Sequence, residues 1–246
     1  MADSPFKRKA SNTGGEDWEI PDPGLHPATV IGLIDLGSHN NDYQGEKRDP
    51  KRILFVVWEL ATLDTDGKPF LVGEGFTDSL HKKANWRKLL AGWRGRDFQE
   101  GEEFDPINIV DVKCLVTIAH GISSKDKKYA HIAAVAPPMK GQAIPDRKND
   151  LVMFHLSMID STTANIDIPD WMPRYMGDKL IDVIHESYEW KAMKEREFAA
   201  GQAKAATVPK SNGAAAPPIK GKVGETVEAL KGHTVEPVTD RETVPF

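Results

Sequence analysis

One cysteine in 246 residues, Cys114, leaves the chain unable to form an internal disulfide or a cysteine metal cluster. No run of 18 apolar residues is present, so no segment reads as a bilayer-spanning helix. The first residues are basic at Lys7, Arg8 and Lys9 but have no apolar stretch behind them, so no secretory signal is expected. A reducing, cytoplasmic compartment is the expectation, with no membrane association. Charge of one sign is also lacking: 32 basic against 37 acidic residues give −5. That balance excludes a uniformly polybasic binder while leaving room for a local basic surface.

Catalytic signatures are equally scarce. There is no GxxxxGK[ST], HExxH, GxSxG or CxxC. The eight histidines (26, 39, 81, 120, 131, 155, 185 and 233) offer no pair at ligand spacing on one helix. Glu59, Asp64 and Glu74 could be drawn into a metal-dependent nuclease site, but 37 acids supply many such triples. The expectation is a protein without catalysis, metal or cofactor.

What is present has an order. Residues 28–36 are β-branched and stop at Gly37; 52–60 form a second strand, apolar on both faces near its middle. Asp64 to Gly67 is turn chemistry, and 70–76 is a third strand whose Gly73 and Gly75 predict a bulge or bend. A helix capped by Thr77 or Asp78 then runs to about Trp93, with Trp86, Leu90 and Trp93 on one stripe, and Gly95 stops it. Strands at 112–119 and 129–136 follow. Three strands, a helix and two strands is the connectivity of a five-stranded OB-fold-like Greek-key barrel, a mainly β architecture that binds oligonucleotides and oligosaccharides.

This barrel domain is placed at 25–160, after a flexible segment at 1–24 with Trp18 and Ile20 as anchors. Residues 151–156 read as an added short strand. A helical extension covers 161–199, its helix running from about Asp178 to Phe198 with Leu180, Ile184 and Tyr188 on one stripe. From Ala200 to Phe246 there are eight Ala, five Gly and five Pro, and the final residue is the one aromatic. That composition cannot offset its own ordering entropy, so 200–246 is expected to be a disordered linker.

On an OB-fold the usual binding face comprises strands two and three with the first and last hairpin loops. The candidates there are Tyr43, Lys47, Arg48, Lys51 and Arg52 in the first loop, and Trp58 and Phe70, with Phe55 and Phe76, on the strands. Lys125, Lys127, Lys128 and Tyr129 lie in the last hairpin. Cations beside exposed rings suit single-stranded nucleic acid, because cations track phosphates and rings stack on bases. Alternation puts Leu54, Val56 and Trp58 on one face and Ile53, Phe55 and Val57 on the other, without saying which is inside. Residues 79–96 hold six cations and no acid, including Lys82, Lys83 and Arg87, whereas 97–111 hold six acids. Either the two segments neutralise each other across a solvated surface, or the helix offers a phosphate-attracting stripe.

The chain ends in Asp240, Arg241, Glu242, Thr243, Val244, Pro245 and Phe246. A terminal Phe presents a ring and a carboxylate together, a combination suited to an apolar pocket with a basic rim. Asp240, Glu242, Val244, Pro245 and Phe246 resemble the acidic tip of bacterial single-stranded DNA-binding proteins, departing from it in Arg241 and in having two acids. Four stretches make the body similar to a family of bacteriophage-encoded single-stranded DNA-binding proteins. These are Val30-Ile-Gly-Leu-Ile-Asp-Leu-Gly37, Val57-Trp-Glu-Leu60, Ser79-Leu-His-Lys-Lys-Ala-Asn-Trp-Arg-Lys-Leu-Leu-Ala-Gly-Trp-Arg-Gly-Arg96 and Tyr129-Ala-His-Ile-Ala-Ala-Val135. The resemblance implies an OB-type barrel, no catalysis, coating of single strands in phage replication or recombination, and docking of replication or recombination proteins on the tip. A homo-oligomer fits such a surface. A strand-annealing recombination protein and a protein-interaction module are the alternative readings.

Overall fold

The computed structural model describes residues 19–123, 126–158 and 167–206, with side chains described as far as Ala199. Its elements are β1 (Gly24–His39), β2 (Lys51–Leu63), β3 (Pro69–Thr77), α1 (Asn85–Arg94), β4 (Lys113–Ile122), β5 (Lys128–Ala136), β6 (Val152–Phe154), α2 (Leu180–His185) and α3 (Tyr188–Ala206). The protein is mainly β, with the strand order β3-β2-β1-β4-β5 and antiparallel pairing throughout that path. β6 is added parallel to β1. Trp18, Lys125, the tip residues Asp240, Glu242, Val244, Pro245 and Phe246, and the linker from 207 onward lie outside the described residues.

β1 organises the sheet because its 16 residues serve different partners in succession. Gly24 to Thr29 pair with β4, Ala28 to His39 with β2, and Gly32 to Ile34 take β6 beyond the point where β4 ends. Irregularities at Val30/Gly32 and Asp35/Gly37 re-aim the strand between these tasks. The expected bulge at Gly73 and Gly75 is absent: β3 runs in unbroken register with β2 from Thr77 to Leu71. Those glycines serve close packing instead. A Cβ on Gly73 would lie 2.2 Å from the Phe55 ring, and one on Gly75 would lie 2.3 Å from the Tyr175 ring.

Alternation along β2 feeds two cores. Leu54, Val56 and Trp58 join Val30, Val116, Ile118 and the α1 residues Trp86, Leu90 and Trp93. Phe55 and Val57 join Ile31, Ile34, Leu36, Val152, Met172, Leu180, Ile184 and Trp190. Both faces of β2 are therefore inside, which explains a strand apolar on both sides.

The helices correct three expectations. Thr77 stays in the β3 ladder and the Asp78 amide bonds to the Arg52 carbonyl, so neither caps α1. The helix starts at Asn85 after Ala84, which makes no side-chain cap, and ends on Gly95 at φ 71°. The expected 178–198 helix is two helices. Ser187 interrupts it: its hydroxyl accepts the Trp190 amide and its carbonyl the Lys191 amide, starting α3. Leu180 and Ile184 are buried, but Tyr188 is exposed on the far side of that break.

The chain divides into two compact units, Met1–Met193 and Lys194–Phe246. The strands, α1, α2 and the extension as far as Met193 belong to the first. Residues 19–22 are also tied to it, with Glu19 accepting from the Thr65 amide and hydroxyl and the Pro21 carbonyl from His120. Among the described residues no helix is long and apolar enough to cross a membrane.

Candidate nucleic-acid interface

Two loops carry exposed rings with cations. The first follows β1. Tyr43 and Glu46 exchange backbone hydrogen bonds around Gln44 (φ 51°) and Gly45 (φ 84°), a turn with two left-handed residues. Asn40 and Asp42 side chains accept the Asp42 and Arg48 amides and brace the loop from below. This turn leaves Tyr43 55% exposed with the Arg48 guanidinium 4.9 Å from its ring centroid. Arg48 also lies 3.5 Å from Glu46, and Lys47 and Lys51 are exposed beside it.

The second is the β4–β5 hairpin. Ser123 closes it by accepting the Lys127 amide on its hydroxyl, while its own amide bonds to the Lys127 carbonyl. Lys127 and Lys128 are exposed, and Tyr129 is 47% exposed opposite Gly121. A Cβ on Gly121 would lie 2.5 Å from the Tyr129 ring, so the glycine lets that ring lie across the neighbouring strand. His131 continues the surface with its ring 5.8 Å from that of Tyr129.

Other candidates have structural employment. Trp58 is fully buried in the first core and Phe76 nearly so, Phe55 is fully buried in the second, and Phe70 packs half-buried against the first. Trp58, Phe55 and Phe76 therefore present no free ring face. Arg52 grips Asp35 through two hydrogen bonds of 3.0 and 2.5 Å. Arg87 donates to Asp97 and to the Leu80 and Phe98 carbonyls, and Arg94 and Arg96 share Glu102. The basic and acidic segments thus neutralise one another at these arginines, while Lys82 and Lys83 remain exposed. The Gln99 amide, followed by Arg94 and Arg96, holds the Glu102 carboxyl down to about 2.

Packing of the C-terminal extension against the barrel or another subunit is the expectation from sequence; the structure puts residues 172–190 as a roof over the Phe55 face of β1–β3. Met172 would meet a Cβ on Gly32 at 2.8 Å, Pro173 one on Gly73 at 3.1 Å, and Tyr175 stands on Gly75. Gly32 of β1 and Gly73 and Gly75 of β3, on either side of β2, were the available signal. The carboxylates have separate duties as well: Glu59 accepts from the Lys148 and Asn149 amides and Asp64 from those of Asp66 and Lys68. No group of three or more His, Cys, Asp or Glu among the described residues is arranged to hold a metal ion. Burial pushes the Cys114 thiol up to about 12, so it is not a thiolate nucleophile near neutrality.

β3 and β5, the two ends of the strand path, lie in contact, and Glu74 on β3 sits beside the Ile132 amide of β5. Burial raises its pKa above 4.5, against the lowering effects of that amide and of His131. A raised folded pKa stabilises most fully below the unfolded value and is lost as pH rises through the folded one. Glu74→Gln removes this titration while keeping an acceptor. Urea unfolding from about pH 4 to about pH 7 should show stability shifting in favour of the variant as pH rises. A pH-independent difference would mean that the carboxyl titrates alike in both states.

No protein-family model matches the chain, and no curated protein is significantly similar to it in sequence.

Proposed function

We propose that the protein is a non-enzymatic, sequence-tolerant binder of single-stranded DNA built on an OB-type barrel. Support for the barrel comes from the β3-β2-β1-β4-β5 order, a long β1 shared by β2 and β4, a helix between β3 and β4, and the contact of β3 with β5 at the two ends of the path. The observation that carries the function is the exposed Tyr43 ring with Arg48 over it, on a loop that also bears Lys47 and Lys51. A base can stack on such a ring while the cations contact flanking phosphates, and neither contact depends on base identity. Tyr129 with Lys127 and Lys128 supplies a second platform of the same composition. In this reading the protein acts in phage replication or recombination, and the Asp240–Phe246 tip recruits partner enzymes.

Fluorescence anisotropy of labelled oligo(dT) tests it. Affinity should fall with salt at a log–log slope of about −0.7 per phosphate neutralised. Tyr43→Ala should weaken binding by roughly 5- to 150-fold, the range for losing one stacked base. No binding, or binding indifferent to both salt and Tyr43, would leave a protein-interaction module as the reading. The roofed outer face of β2 and β3 favours that second reading.

A further inference from the structure

The roof over β2 and β3 is uneven. Lys51, Ile53, Phe55 and Val57 alternate onto the outer face of β2, and β3 sets Thr77, Gly75 and Gly73 beside the last three. The Phe55 ring lies over Gly73, and Gly75 leaves a flat shelf beside that ring. Residues 173–178 fold onto it as a small hairpin in which Tyr175 and Asp178 exchange backbone hydrogen bonds around Met176 and Gly177. Tyr175 stands on Gly75 and meets Phe55 edge to face, with ring centroids 5.8 Å apart.

The base of this hairpin packs on the sheet through Pro173 and Tyr175, while its tip faces solvent. Met176 at its tip is 87% exposed and has φ 52°, a conformation that a non-glycine residue adopts at a cost. The adjoining Lys179–Asp170 ion pair lies in solvent, where such pairs contribute little. Met172 before the hairpin and Leu180 and Ile184 after it are buried, so the tip can lift while its base stays anchored. The shelf also continues the open loop, since Lys51 is both a loop cation and a member of the Phe55 face.

We propose that residues 173–178 are a self-inhibitory flap: Tyr175 occupies a base-stacking position on the shelf, and unpaired nucleotides extending past the first loop displace it. This rests on the single-strand-binding reading and adds regulation to the same site. A strand too short to reach the shelf binds at the loops and leaves the flap closed; a longer one must lift it.

The test compares full-length wild type, Tyr175→Ala and Tyr175→Phe for binding to dT oligomers of about 4 and about 16 nucleotides. Tyr175→Ala should bind the longer oligomer roughly 3- to 10-fold more tightly and the shorter one unchanged, and Tyr175→Phe should match wild type. In wild type, amide exchange at Tyr175 and Asp178 should speed up when the longer oligomer is bound. That measurement decides the matter even if Tyr175→Ala fails to fold. A folded Tyr175→Ala that binds the longer oligomer no more tightly, or amides that gain protection, would overturn the flap while leaving single-strand binding intact. Failure of wild type to bind either oligomer would remove the parent reading and the flap with it.

Discussion

Asp35→Ala is expected to lower the unfolding free energy by about 3–5 kcal/mol, the range for breaking a buried ion pair by removing one partner. The Asp35 side chain is 4% exposed and lies in an otherwise apolar stretch of β1. Its carboxylate accepts two hydrogen bonds from Arg52, one from the Gly37 amide and one from the Leu156 amide. Alanine strands all of these donors at once. Arg52 is 37% exposed and recovers some hydration, which argues for the lower end of the range. Asp35→Asn, which keeps the shape and an acceptor, should cost less than alanine.

The same site has a signed pH dependence. Burial alone would raise the Asp35 pKa, but Arg52 and the Leu156 and Gly37 amides outweigh it and hold the carboxyl below 3.8. Its stabilisation is therefore complete above the unfolded value and lost as pH falls through the folded one. Chemical denaturation at neutral pH and below about pH 4 should show Asp35→Ala losing less stability on acidification than wild type. An equal acid loss in both proteins would contradict the ion pair.

Trp58→Ala is expected to cost about 3–5 kcal/mol, as for other large aromatics removed from a closed core. Trp58 has no exposed surface and meets Phe76 edge to face, with centroids 6.4 Å apart. Trp58→Phe keeps most of the volume and should lose about 1–2 kcal/mol. Its affinity for oligo(dT) should stay within about twofold of wild type, because a residue inside the sheet touches no base. A Trp58→Phe protein of normal stability whose binding falls tenfold or more would return this tryptophan to the interface. Thermal unfolding and anisotropy on the same preparation measure both outcomes.

Much of the architecture was legible from local pattern. β-branched runs bounded by Gly and Asp turns marked the strands, and Trp86, Leu90 and Trp93 marked the core stripe of α1. Tyr43 was legible for a related reason: a ring among polar neighbours in a turn sequence has nothing nearby to bury it. These are properties of contiguous residues, so the chain itself carries them.

The sides of β2 were not legible in that way. A period of two separates Trp58 from Phe55 but does not say what covers either, and here one face meets α1 and the other meets residues from 152 to 190. Arg52 read as a DNA contact because its partner, Asp35, looks like an interruption in an apolar strand until the β1–β2 register pairs it with Leu54, two residues from Arg52. Gly73 and Gly75 read as a bend because what packs on them comes from elsewhere in the chain: the Phe55 ring of the neighbouring strand, with Pro173 on Gly73 and Tyr175 on Gly75. Pro173 and Tyr175 lie 100 residues further along than the glycines they cover. Sequence by itself determined the order of the five main strands, the core stripe of α1, which residues are apolar, and where the exposed aromatic–cation loops lie. Tertiary structure alone decided which charges are spent on one another and which sheet face is roofed, because both depend on contacts between segments far apart in the chain, which no local periodicity encodes.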